Sequence, residues 1–319
     1  MRNKTNAKWI AVILSGLLLF ATGCDNSQND IPPIEAVYEQ ILSQSGGRQT
    51  ENVAQMPTYS DNDMSLKTEQ SVINIAHTNE GYVVFTYKGS SDKVVLQITQ
   101  PDGSRYPYPV NTNEPQVISL VSGNGTYKCD VFEHKGDNSY VMDLSESIDV
   151  NIKNEFSPFL YPNQYSDYTN ESECIKLART ISDHSDTDLS YVKNVYDYVI
   201  SAITYDKELA KNIDTNYIPD PDTTLKTGKG ICFDYASLMT SMLRSQNIPT
   251  KLEVGYAGTA YHSWISVYVK DVGWIDNIIQ FDGKNWSFMD PTVAANRDNS
   301  KEMKSLIGDG TTYTVQYHY

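Results

Sequence analysis

Thr224-Leu-Lys-Thr-Gly228-Lys-Gly230-Ile-Cys232-Phe-Asp-Tyr235-Ala236-Ser-Leu-Met239 is the stretch on which the reading of this chain turns. Gly228 and Gly230 permit a tight turn and close backbone approach. After them Tyr235, Ala236, Met239, Met242 and Leu243 recur at helical steps, the spacing of one buried stripe. The pattern predicts a helix from about Cys232 to Gln246, with Cys232 in its first turn. Unpaired amides and the helix macrodipole favour an anion there, so the thiol is expected to ionise below its ordinary range. On this segment alone, a structural core cysteine is an equal alternative.

Two later residues shift the balance. His262, in Ala260-Tyr-His262-Ser-Trp264, stands at the start of a predicted strand whose alternate residues are Ile265, Val267 and Val269. A thiol nucleophile needs a base to take its proton and return it to the leaving group, and imidazole has the pKa for both tasks. Asp290, in Phe288-Met-Asp290-Pro-Thr292, ends another predicted strand and is placed to orient the imidazole. Helix, strand and strand in that order can converge at one end of a sheet.

Gly230-Ile-Cys232-Phe-Asp-Tyr235-Ala236, Gly255, His262-Ser-Trp264 and Asp290-Pro291-Thr292, in this order, resemble the transglutaminase-like superfamily over roughly residues 160–295. That resemblance implies a papain/transglutaminase-like α+β fold, with Cys232 as nucleophile, His262 as base and Asp290 as orienting acid. Ile203-Thr-Tyr205-Asp206 also resembles a stretch upstream of the nucleophile in bacterial members. The Cys232 N–H is the natural first oxyanion donor; Tyr205 is a candidate second donor, or it packs on the Cys232 helix. Trp264 either walls the cleft or lies in the core, and Trp286 and Phe288 are expected to pack around the triad. The His-to-Asp interval is longer than the family pattern, and its Asp282-Gly-Lys-Asn turn reads as an extra hairpin arm spanning 277–285.

Helical periodicity at 171–183 and 188–203 precedes the Cys232 helix, and strands follow it. Helices first and an antiparallel sheet afterwards indicate an α+β domain, placed at 156–319. Residues 69–155 read instead as seven short strands, at 71–77, 82–88, 93–99, 116–120, 126–133, 138–143 and 146–152, separated by turn residues. This predicts an all-β, immunoglobulin-like sandwich without a catalytic constellation. Cys129 falls on the apolar face of its strand and Cys174 on that of its helix, so both are expected to be buried thiols. The terminal run Thr314-Val-Gln-Tyr317 reads as a structural strand.

The N-terminus has its own composition. Arg2, Lys4 and Lys8 precede an uncharged apolar run from Trp9 to Phe20, too short to span a bilayer comfortably, which reads as an export signal over residues 1–23. Ala21-Thr22-Gly23-Cys24 resembles the lipobox of bacterial lipoproteins, which implies a lipid on Cys24 and an extracytoplasmic, membrane-anchored protein. Residues 24–68, rich in Asn, Gln, Ser and Asp, hold one weak helical pattern at Ile34–Ile41 and read as a flexible tether.

A formal charge of −15 and the lack of a basic stripe argue against nucleic-acid binding. His77, His134, His184 and His318 have no partner at metal-ligand spacing, so neither a metal nor another cofactor is expected. The function these readings predict is thiol acyl transfer on protein or peptide amides, with surface or cell-wall peptide as the plausible substrate. The alternative is a non-catalytic surface binding protein on the same fold.

Overall fold

The computed structural model of the chain describes residues 32–48, 54–60, 62–110, 113–137, 139–214, 216–257, 260–270, 272–281, 286–288 and 313–319. The signal segment and Cys24 lie outside these residues. Among the described residues no helix is long and apolar enough to cross a membrane. The chain divides into two compact units. One comprises the described part of 57–158, the other the described parts of 32–56 and 159–319.

The first unit is all β. Its strands are β1 (Ser65–Lys67), β2 (Ser71–Asn74), β3 (Tyr82–Tyr87), β4 (Val94–Thr99), β5 (Arg105–Pro109), β6 (Gln116–Ser119), β7 (Gly125–His134) and β8 (Tyr140–Val150). They form two antiparallel four-stranded sheets, ordered β1-β2-β3-β6 and β5-β4-β7-β8. Val94, Leu96 and Ile98 are buried while the residues between them are half-buried, the period-2 pattern of a strand with one covered face. Cys129 lies between Tyr127 and Val131 on the buried side of β7, where burial pushes its thiol up to about 12.

Three elements of this unit differ from the sequence reading. β5 was not among the expected strands; it carries Pro107 and Pro109 and stands at the edge of its sheet, where a missing N–H costs no ladder bond. β1 was not anticipated, and Tyr140–Val150 is one continuous strand rather than two.

The second unit begins with a correction. Residues 32–48 are not a flexible tether. Ile34–Leu42 forms helix α1, which buries Val37 and Ile41 and packs on α3 (Asp188–Ala202). Beyond it Arg48, its side chain 2% exposed, pairs with Asp188 at 2.7 Å and donates to Ser182 Oγ and to the Gln246 carbonyl. Its guanidinium lies 4.7 Å from the Tyr191 ring centroid. Polar composition hid the docking because few residues carry it: two apolar side chains one turn apart and one arginine.

The other helices of this unit are α2 (Glu173–Asp183), α4 (Lys207–Asn212), α5 (Pro221–Thr227) and α6 (Cys232–Arg244). The short strands β9 (Thr204–Tyr205) and β10 (Lys229–Gly230) pair in parallel. The strands β11 (Thr250–Ala257), β12 (Ala260–Val269), β13 (Gly273–Phe281), β14 (Trp286–Phe288) and β15 (Tyr313–His318) form an antiparallel sheet ordered β14-β13-β12-β11-β15. β15 takes its place against β11. β13 and β14 form the hairpin arm, whose turn at 282–285 lies outside the described residues.

α6 is the hub of this unit. Every residue from Asp234 to Arg244 is buried, and the helix packs on α2, α3 and α5 as well as on β11 and β12. Burying one Met or Leu of the stripe contributes about 2 kcal/mol, so helix and sheet hold each other in register. The fold is thus mixed, with helices and an antiparallel sheet.

Candidate active site

The turn before Cys232 is set by two close approaches. Gly228 ends α5 in the left-handed region at φ 62, and the chain then runs beside β9, with the Thr204 N–H on the Gly228 carbonyl (2.8 Å) and the Asp206 N–H on the Gly230 carbonyl (2.9 Å). A side chain at Gly230 would put its Cβ 2.6 Å from the Asp234 Cβ. That space is needed because Asp234 folds back to accept the Ile231 N–H at 2.7 Å, which caps α6. Its other oxygen takes the Tyr217 hydroxyl at 2.6 Å. The Asp234 carboxyl is buried and its pKa is raised by that burial, against the two hydrogen bonds that lower it.

Cys232 opens α6, as the glycine-cysteine spacing predicts, and is partly exposed. The Ser263 and Phe233 N–H groups and the Ser263 hydroxyl favour its thiolate. Burial opposes them more strongly, the Asp234 charge adds to it, and the thiol is pushed up to about 11. The expected lowering is therefore overturned. Desolvation of the charged form outweighs the donors that favour it.

His262 lies on β12 opposite Gly255 and is 7% exposed. Burial pushes its imidazole down to about 4. Successive strand residues point to opposite faces. His262 shares its face with Trp264, whose ring is 6.3 Å away and inclined by 26°. α6, which Cys232 opens, packs on β12, which carries His262, and both groups are uncharged near neutral pH.

Trp264 is 2% exposed and stands edge-on to Tyr313 at 5.1 Å. On the same sheet face Glu253, opposite Trp264, accepts the Ser266 hydroxyl at 2.6 Å, and its buried carboxyl is raised. Tyr205 is the β9 residue paired with Gly230, two positions before Cys232. Tyr235, from the first turn of α6, donates to the Ile203 carbonyl at 2.5 Å and so fixes β9 to the helix. Asp290 lies outside the described residues, as do the side chains of Trp286 and Phe288. Gly255 has a packing reason, since a Cβ there would meet the Thr314 carbonyl oxygen of β15 at 2.0 Å.

The sequence reading passed over three residues that shape this site. Asp234 had a signal, an acid three positions after the residue that precedes a helix. Ser263 and Tyr217 had none, because strand register and a long loop bring them in.

Residues 175–277 match the sequence model of the transglutaminase-like superfamily, and the chain carries a transglutaminase-like domain over that range. Among known proteins, it is 27% identical over 207 residues to the uncharacterized protein YebA of Bacillus subtilis, covering 53% of this chain and 28% of that one. It is 31% identical over 90 residues to a UPF0252 protein of Methanocaldococcus jannaschii, covering 24% of this chain and 26% of that one. The chain thus spans under a third of the length of either relative. Solved structures that superpose include a candidate cysteine protease of Cytophaga hutchinsonii (TM-score 0.33, 15% identity, 81% of this chain and 74% of that one). Another is red sea bream transglutaminase (TM-score 0.26, 11% identity, 79% and 51%). Superpositions this loose carry no weight for function.

Proposed function

We propose that the chain is a thiol acyl-transfer enzyme acting on protein or peptide amides through Cys232, His262 and Asp290. The observation that carries this reading is the placement of Cys232. It opens a buried helix packed on the strand that bears His262. In the first step Sγ attacks the amide carbonyl carbon, the C–N bond breaks, and the thiol proton passes through His262 to the departing amine. In the second step water or another amine attacks the thioester, the C–S bond breaks, and the nucleophile's proton passes through His262 to Sγ, restoring the thiol. Because thiol and imidazole both rest uncharged, the proton moves during attack rather than before it. Tyr205 and the Cys232 N–H would face the developing oxyanion, and Trp264 would fix the imidazole plane. No cofactor enters this scheme.

The further parts of the reading are an immunoglobulin-like sandwich built from the two sheets of 57–158 and lipidation of Cys24 after removal of residues 1–23. They make the chain an extracytoplasmic, membrane-anchored protein with surface or cell-wall peptide as substrate. Radiolabelled palmitate in the full chain, lost in Cys24→Ala, is the expected sign of the anchor; label retained in that variant refutes it.

The neutral thiol–imidazole pair favours one other reading, a non-catalytic surface binding protein. Peptide cleavage, ammonia release from glutaminyl peptides and incorporation of a fluorescent amine, measured on one preparation, separate the two. We expect at least one activity in the parent, falling by three orders of magnitude or more in Cys232→Ala. Equal turnover in parent and variant, or none in either, sinks the enzyme reading.

A further inference from the structure

We propose that Tyr217 is a positioning residue for the nucleophile: its hydroxyl orients the Asp234 carboxylate, which in turn holds the turn of chain that carries Cys232. The inference rests on the enzyme reading above. It adds a residue from the connection between α4 and α5, which neither the Cys-His-Asp pattern nor the spacing singles out.

Hydrogen bonds carry it. Ile231 and Asp234 bond to each other twice: the Ile231 N–H donates to Asp234 Oδ2 at 2.7 Å, and the Asp234 N–H donates to the Ile231 carbonyl at 2.9 Å. Cys232 and Phe233 are the residues enclosed between them. The Tyr217 hydroxyl donates to the other carboxylate oxygen, Oδ1, at 2.6 Å. Asp234 is 1% exposed, so water does not freely replace that donor. Tyr217 is itself held in place. Its N–H donates to the Asp214 carbonyl at 3.1 Å, and Asp220, three residues on, caps α5 by accepting the Thr223 N–H at 2.9 Å. A carboxylate bonded through one oxygen can swing about its Cβ–Cγ bond; bonded through both, it swings only by giving up a charge-assisted hydrogen bond.

The chemistry follows from where charge appears. A thiolate forming at Cys232 meets the negative charge of Asp234 two residues on, and like charges disfavour each other. The Tyr217 hydroxyl turns the positive end of its dipole toward that carboxylate and weakens its field at neighbouring atoms. Burial and then Asp234 itself raise the Tyr217 hydroxyl above its ordinary range, so it keeps the proton it donates at pH 8. Asp206 bears on both members of this pair and Asp220 on Tyr217, all three acids raising the groups they face. With the hydroxyl present, Cys232 therefore ionises more readily than with the same ring lacking it.

The test is the rate of iodoacetamide alkylation at Cys232 in the full chain at pH 8, read by mass spectrometry, with buried Cys129 and Cys174 as internal references. Tyr217→Phe keeps the ring and is expected to slow labelling about threefold, equivalent to a thiol pKa higher by about half a unit. In an Asp234→Asn background the carboxylate charge is gone, and the same change should move the rate by less than about 1.5-fold. A packing role for Tyr217 would instead slow both backgrounds alike. 3-Fluorotyrosine at position 217 keeps the shape with a stronger donor and should label faster than the parent; it decides if Tyr217→Phe does not fold. Equal rates in Tyr217→Phe and parent, equal slowing in the two backgrounds, or no gain with the fluorinated ring overturns the proposal. Because alkylation reads the thiol whether or not the chain turns over an amide, that failure is distinct from failure of the enzyme reading, which Cys232→Ala reports. Where turnover is present, Tyr217→Phe should lower kcat with KM nearly unchanged, whereas a displaced loop would raise KM.

Discussion

His262 shows what burial does to a single titratable group. Unfolded, its imidazole takes a proton below about 6.5; folded, it stays neutral until about pH 4. Between these values the unfolded chain binds more protons than the native one, so stability rises with pH and is lost as pH falls through this window. The full difference amounts to about 3 kcal/mol. Urea unfolding of the parent and of His262→Gln at pH 7, 5.5 and 4.5 should show the parent losing more stability toward low pH, by about that amount. Parallel curves would mean that the imidazole is protonated or solvated in the native state. The same cause acts in the other direction on Cys232, whose native thiol holds its proton beyond the ordinary range.

Among the elements, the N-terminus of α6 holds opposing influences within one turn: the Phe233 amide, which favours a thiolate, and the Asp234 carboxylate, which caps the helix and disfavours it. Asp234→Asn separates the two roles of that carboxylate. The amide oxygen can still accept the Ile231 N–H, so stability should change by no more than about 1–2 kcal/mol. Removing the charge should raise the rate of Cys232 alkylation at pH 8 severalfold. A slower rate would show that the cap's geometry, rather than its charge, governs the sulfur.

Elements were legible in the sequence where periodicity was long. α2, α3 and α6 stand within two residues of where apolar spacing puts them, and Cys232 and His262 fall on the predicted helix and strand. α4 and α5 escaped notice because their stability comes from caps, Asp206 and Asp220, and from Pro221 in the first turn rather than from an apolar stripe. The sign of the thiol shift was not legible at all. It depends on burial by residues far apart in the chain, and the local signal, a cysteine at a helix start, points the other way.

At the scale of the whole molecule, one buried cation organises the second unit. Arg244 at the end of α6 is fully buried and donates to the carbonyls of Tyr161 (2.9 Å), Thr250 (2.9 and 2.7 Å) and Tyr319 (2.6 Å) and to Ser166 Oγ (3.2 Å). Burial pushes its guanidinium down to about 10, still charged at neutral pH. Lysine offers a single nitrogen with no planar fork and cannot reach these acceptors together. Arg244→Lys is therefore expected to cost about 3 kcal/mol or more in urea unfolding. A loss below about 1 kcal/mol would mean that the acceptors find other donors.

The docking of residues 32–48 has a mechanical consequence. The chain enters the unit that holds Cys232, leaves it to build the two β-sheets, and returns at residue 159. Traction on the N-terminal end would reach α1 and the Arg48 clip before it reached either sheet. The all-β unit, with both of its chain ends leading into the other unit, would be bypassed by the load until that clip yielded.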